Sequence, residues 1–192
     1  YAFSGMEALE AAEEAIEKGS TLSCLDFALH LGMFEVEKQQ HQIPDVFKLG
    51  INSFKMFMAY AKLGRMTSDY HLAAVMDLIS QNDGIAMVHA ENGLVTDYLE
   101  DKFNHMGTPA MQAFSRMRPD VLEAEAIHRA IAIAGVFGCR IYIPHVSAKK
   151  ALLPIENALQ AGQTVYAETC PQYLVLTEKD FYKWGPLAKI GP

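Results

Sequence analysis

Strand-length and helix-length segments alternate along this chain, and that alternation limits its fold more than any other feature. Short apolar runs predict strands at Leu22–His30, Ser53–Ala59, Ile85–Ala90, Arg140–Val146 and Gln163–Thr169. The segments between them predict helices. Leu9–Lys18 is stopped by Gly19, and Phe34–Leu49 is interrupted by Pro44. A third helix runs to about Gln81 from a cap at Thr67 or Ser68, and a fourth runs from Asn92 to about Asn104. Val121–Phe137 follows a cap at Asp120, and Ala148–Ala161 ends at Gly162. Met106–Pro119 carries two prolines and reads as a loop or irregular helix. Alternation of this kind predicts parallel strands joined by crossover helices. Near-continuous apolar strands predict a sheet covered on both faces. Two architectures satisfy this pattern: an open doubly wound sheet and part of a (β/α)8 barrel.

Composition removes several function classes. The chain has 192 residues, 51% hydrophobic and 20% charged, which suits one globular core or a piece of a larger one. Its formal net charge is -7 and its only clustered lysines are Lys149 and Lys150, so it has no basic patch for nucleic acid. No apolar run approaches the roughly 20 residues of a membrane span. The acidic, helical opening lacks the pattern of a signal peptide. Neither nucleic acid nor membrane is therefore expected as a partner. Cys24, Cys139 and Cys170 are too few and too scattered for a disulfide framework, and a reducing cytoplasm is the expected location. Neither common nucleotide-binding glycine motif is present.

Three of the predicted strands carry an incongruous polar residue: Lys55 in "SFKMFMAY", His89 in "IAMVHAE" and His145 in "IYIPHVS". In parallel α/β folds the C-terminal strand ends form the functional face. A lone histidine there is more often a hydrogen-bonded core residue than a ligand. A lysine is harder to dismiss, because an ammonium group costs several kcal/mol to bury without a partner, on the order of 3 or more. It snorkels, pairs with a carboxylate, or is chemically changed. A buried amine loses its proton more readily, and a free amine can add carbon dioxide to become a carbamate with two anionic oxygens. Lys55, His89 and His145 would then form one metal-binding constellation. His30 ends the first strand and is taken as structural. His41, His71, His105 and His128 fall in helices or loops. Glu91 and Asn92 either orient His89 or lie in a surface loop. Glu123 and Glu125 read as solvated or ion-paired helix residues, and Cys170 reads as buried and inert.

The words "GINSFKMFMAY", "VHAENG", "RPDVLEAEAIHRAI", "IPHVSA" and "ETCPQYL" occur in that order. Together they resemble the dihydropyrimidinase/hydantoinase branch of the cyclic amidohydrolases, from about Leu22 to the end of the chain. The resemblance implies a (β/α)8 barrel whose site holds two zinc ions bridged by a carboxylated lysine, here Lys55, and by a hydroxide. His89 and His145 fall on two of the family's histidine ligands. Tyr60 falls on the tyrosine that hydrogen-bonds the substrate carbonyl and the oxyanion that develops from it. The implied activity is hydrolysis of a small cyclic amide: a dihydropyrimidine, a hydantoin, or a ureide such as allantoin or dihydroorotate. A homo-oligomer, dimer or tetramer, is implied for the full-length protein.

The departures shape the remaining expectations. The family's HxH pair of the first barrel strand is absent from this sequence. Its catalytic aspartate on the eighth strand would lie beyond Pro192, and Gly191 stands near the family's substrate-binding serine. The chain is therefore expected to be one incomplete barrel domain over residues 1–192, an interior segment equivalent to about strands three to seven and inactive by itself. The alternative function is a binding or assembly protein related to dihydropyrimidinase that has lost catalysis. Retention of Lys55, His89 and His145 argues against it.

Overall fold

The computed structural model describes residues 1–190 of the chain. At its centre lies a parallel sheet of five strands. They are β1 (Leu31–Gly32), β2 (Ser53–Phe57), β3 (Ile85–His89), β4 (Arg140–Ile143) and β5 (Val165–Ala167). Their order across the sheet is their order in the sequence, and every pairing is parallel.

That order decides between the two architectures. A doubly wound sheet reverses its direction of growth at a switch point, where helices change face. These strands never reverse. Crossovers between parallel strands are right-handed, so strands added in one direction place their helices on one face. The other face is left for the interior of a closed cylinder. The arrangement is that of part of a (β/α)8 barrel.

The helices are α1 (Ala8–Leu22), α2 (Val36–Gln39), α3 (Ile43–Lys48), α4 (Asp69–Gln81), α5 (Gly93–His105), α6 (Ala110–Met117), α7 (Asp120–Phe137), α8 (Leu152–Gln160) and α9 (Asp180–Trp184). Alternate strand residues point to opposite faces. Phe54 and Met56 of β2, Ala86 and Val88 of β3, and Ile141 and Ile143 of β4 share one core with α4 and α7. Leu72, Val75, Met76 and Ile79 supply the apolar stripe of α4. Ala126, Ala130 and Ala134 recur every four residues on α7 and form a small-residue stripe in the same core. The opposite sheet face carries a cross-strand row in strict register: Lys55, Met87, Tyr142 and Tyr166. Phe57 and His89 are paired one step closer to the C-terminal strand ends.

Local chemistry accounts for most boundaries. The Ser68 hydroxyl accepts from the His71 amide and starts α4, while Thr67 is buried beside it. The Asn92 side chain accepts from Val95 and starts α5. Gly138 adopts a left-handed conformation, φ 62°, and ends α7. Among the described residues no helix is long and apolar enough to cross a membrane.

Several sequence expectations are corrected. The strand expected at Leu22–His30 does not form. Leu22 and Leu25 face solvent at 77% and 81% exposure, and the neighbouring strand covers only Leu31–Gly32. Gly19 does not stop the first helix, which runs on to Leu22. The Phe27 ring packs against Gly19, where an added Cβ would stand 2.5 Å from it. The interruption near Pro44 begins earlier, as a 3-10 turn over Gln40–Gln42, with Pro44 inside the first turn of α3. Asp120 does not cap α7; Pro119 holds that position, and Asp120 pairs with Lys150 at 3.0 Å. The segment Met106–Pro119 contains a regular helix, α6. The last helix expectation, Ala148–Ala161, becomes a 3-10 turn followed by α8.

Gly93 marks where α5 meets the end of β2. A Cβ there would lie 2.5 Å from the Ala59 Cα and 2.9 Å from the Met58 carbonyl oxygen, both main-chain atoms that cannot swing away. Gly93→Ala is therefore expected to destabilise by about 1–3 kcal/mol, seen as a lower urea midpoint at unchanged slope.

Candidate active site

Lys55, His89, His145 and Tyr60 are brought together by three neighbouring strands, β2, β3 and β4, and by the turns that leave them. Lys55 sits at the middle of β2, and His89 is the last residue of β3. His145 follows β4 by two residues, and Tyr60 follows β2 by three.

Lys55 is only 9% exposed. Its Nζ lies 5.5 Å from the centre of the Phe57 ring, and among the described residues it makes no ion pair. Burial pushes its pKa down to about 8, against the pull of the Glu168 carboxylate at the end of β5. About a tenth of this amine is therefore unprotonated at pH 7, far more than of an ordinary lysine.

The two imidazoles meet edge to face, with ring centres 5.0 Å apart and an interplanar angle of 64°. His89 Nδ1 lies 3.4 Å from His145 Nε2. The other ring nitrogen, His89 Nε2, is buried and has no hydrogen-bond partner. Glu91 Oε2 stands 3.6 Å away, too far for one. An unsatisfied buried nitrogen costs about 1–3 kcal/mol, so this ring nitrogen is free to accept a ligand. His145 adopts φ 48°, a left-handed backbone that points to function in a non-glycine residue. Burial pushes its pKa down to about 4, with help from the positive charge that His89 and Lys55 can carry. It is therefore neutral at neutral pH, the state in which imidazole binds metals.

Tyr60 also has a left-handed backbone, φ 68°, and its ring centre lies 5.0 Å from that of His89. Burial raises the phenol pKa above its ordinary value, and the Glu91 charge adds to the effect. The hydroxyl therefore keeps its proton and can donate it in a hydrogen bond. Its turn is tied down by Lys62, whose Nζ donates to the Asp97 carbonyl at 3.1 Å and to Asp101 at 2.5 Å. The fifth expected site residue, Gly191, lies outside the described residues.

Behind the histidines stand two buried carboxylates. Glu91 is 3% exposed and pairs with Arg118 at 2.5 Å. Burial alone would raise its pKa; the His89 ring and the Arg118 guanidinium outweigh it and hold the carboxyl below the ordinary range. Glu91 is thus part of the site's support rather than of a surface loop. Asn92 instead caps α5 and donates to Glu125 at 2.7 Å. The expectation for Glu123 is overturned. It is neither solvated nor ion-paired but buried on α7, accepting from Ser147 and Ala148. Glu91, Arg118, Glu123, Ser147 and Tyr173 contribute to the wall of a cavity of about 550 Å³. His30 hydrogen-bonds Ser53 through Nδ1 at 2.7 Å, and Glu125 pairs with Arg129 at 2.9 Å. Cys170 is half-buried, not buried as expected.

Among the described residues no group of three or more His, Cys, Asp or Glu side chains is placed to hold a metal ion. The donor set on hand is two imidazoles, that of His89 with an orphaned nitrogen and that of His145 neutral, and a lysine that becomes an oxygen donor only if its amine is modified. It suits one side of a metal centre. Sequence reasoning missed Arg118, Glu123 and Glu168. Arg118 and Glu123 lie in the word "RPDVLEAEA", where a charged residue gives no sign that its partner stands in a distant segment.

No protein-family model matches the chain. The chain is 38% identical to a D-hydantoinase of Ralstonia pickettii over 162 residues, covering 82% of this chain and 35% of that protein. It is 33% identical to an allantoinase of Bacillus velezensis, covering 88% of this chain and 37% of that protein. The structure of an L-hydantoinase (dihydropyrimidinase) from Arthrobacter aurescens superposes with a TM-score of 0.89 at 30% identity, over 97% of this chain and 41% of that one. The chain thus spans about a third to two-fifths of the length of the relatives it matches.

Removing one partner of the Glu91–Arg118 pair leaves a buried charge exposed to an apolar setting. Arg118→Gln is expected to cost ~2–3 kcal/mol, less than the ~3–5 kcal/mol of a fully enclosed pair because the arginine reaches solvent. The double variant with Glu91→Gln should lose less than the sum of the two singles. Urea denaturation of all four proteins reads the cycle.

Proposed function

This chain belongs to the cyclic amidohydrolase family, and we propose from that premise that the whole protein hydrolyses a small cyclic amide. Candidate substrates are dihydropyrimidines, hydantoins and related ureides such as allantoin and dihydroorotate. The observation that carries the reading is the facing pair of imidazoles at adjacent strand ends, with His89 Nε2 buried and orphaned and the half-buried Tyr60 ring 5.0 Å from that of His89.

His89 and His145 would hold a divalent metal, zinc by the preference of imidazole for it. In its free form, the Lys55 amine attacks carbon dioxide; an N–C bond forms, a proton leaves, and a carbamate with two oxygens results. That conversion would replace an unpaired cation by an anion that could serve as an oxygen donor to metal. Bound metal would supply Lewis acidity and a water acidic enough to attack at neutral pH. The remaining work falls to the chain. The Tyr60 hydroxyl donates to the ring carbonyl oxygen of the substrate and to the negative charge that grows there. The apolar surroundings of β2 and β3 strengthen that hydrogen bond by excluding water. Glu91 and Arg118 keep the His89 side of the site rigid.

In the whole protein, purified with bicarbonate, Lys55→Ala should lose bound metal and turnover together. Elemental analysis and a substrate panel of dihydrouracil, hydantoin, allantoin and dihydroorotate measure both. A variant that keeps its metals and near-normal turnover would exclude the bridging role. Tyr60→Phe should keep its metal while kcat drops by about 10²–10³-fold.

A further inference from the structure

Between β4 and α8 the chain must present His145 from a backbone that few non-glycine residues adopt, φ 48°. Such a conformation persists only when its surroundings impose it. Two ties come from the end of β5. The Val146 amide donates to the Glu168 carbonyl at 2.7 Å, and the Thr169 hydroxyl donates to the Val146 carbonyl at 2.8 Å. Both hold Val146, and both come from one side of the loop.

The opposing tie comes from the helix layer. Glu123, on the first turns of α7, sends its carboxylate under the loop. One oxygen accepts from the Ser147 amide at 2.9 Å. The other accepts from the Ser147 hydroxyl at 3.1 Å and from the Ala148 amide at 2.6 Å. Three donors thus converge on one carboxylate that is 8% exposed. A neutral amide cannot replace it, since its NH2 would face donors. Nothing else in the proposed chemistry uses this residue, and it does not contact His145 itself.

We propose that Glu123 is the positioning residue of His145: its carboxylate clamps the Ser147–Ala148 main chain and so fixes the imidazole as a metal ligand. The proposal rests on the metal-site reading above. Its effect passes through the loop, so it acts on metal binding before it acts on the substrate. Partners that orient ligands in this way typically matter by about 10–100-fold in metal affinity.

The test uses the full-length protein and zinc, with three variants: Glu123→Gln, Ser147→Ala and, as a control, Glu156→Gln on the exposed face of α8. Chelator competition well below the melting temperature gives zinc affinity. Glu123→Gln should weaken it by about 10-fold or more, and Ser147→Ala, which loses one of three bonds, by about 3–5-fold. Glu156→Gln should match wild type. With saturating zinc, Glu123→Gln should regain much of its kcat at an unchanged KM. A purely structural carboxylate would lower the melting temperature and leave the chelator midpoint in place. Histidine side-chain NMR on the metal-free protein supplies a readout that needs neither metal nor turnover. The His145 signals should move in Glu123→Gln while those of His41 and His128 stay. Wild-type zinc affinity together with unmoved His145 signals would overturn the proposal. If the wild type takes up no zinc, the metal-site reading fails, and the NMR result alone then decides whether Glu123 holds His145. Should Glu123→Gln fail to fold, the Ser147→Ala shift decides, and wild-type affinity in that variant overturns the proposal.

Discussion

Growth of the sheet in a single direction is the constraint on which the rest depends. Because β1 to β5 are laid down in sequence order, each crossover helix joins the same layer. One sheet face then belongs wholly to the apolar core shared with α4 and α7. The other becomes a private surface where ordinary packing rules are relaxed. Lys55 can occupy a strand centre only because it projects from that second face, in line with Met87 and Tyr142. On the helix side the same ammonium group would meet Phe54, Met56 and their neighbours.

The strand ends inherit a second consequence. A parallel sheet brings its chain exits to one edge, so the turns after β2, β3 and β4 lie side by side. Two of them contain a non-glycine residue with a left-handed backbone, Tyr60 and His145. Each strained residue is held by polar contacts from outside its own turn. Lys62 fastens the Tyr60 turn to α5, and Glu123 fastens the loop after His145 to α7. Rigid helices thereby set the geometry of loops that strands alone would leave free.

Much of this was legible in the sequence, for reasons that can be stated. β2, β3 and β4 are short, mostly apolar runs bounded by glycine or turn residues, so their existence follows from composition alone. Lys55 stood out because an ammonium group among Phe and Met residues contradicts its surroundings. The strand misread at Leu22–His30 has the same apolar composition. However, composition does not say what surface will cover a run, and here Leu22 and Leu25 remain exposed. Gly19 looked like a helix stop because glycine costs about 1 kcal/mol within a helix. Its value lies instead in the room it leaves for Phe27. Glu123 was illegible for a related reason. Its burial is created by Ser147 and Ala148, more than twenty positions later, and no local pattern records that meeting.

Arg118 and Glu123 stand at the two ends of one short corner, the first turned to Glu91 behind His89 and the second to the loop beyond His145. Their separation fixes more than their identities do. Each residue added to or removed from a helix turns everything beyond it by roughly 100° and shifts it by about 1.5 Å. A single-codon insertion or deletion between them would keep both side chains yet swing one carboxylate or guanidinium off its target. The length of this corner should therefore tolerate less change than the amino acids within it. An exchange of the α6–α7 segment between related proteins would succeed only when the spacing is conserved to the residue.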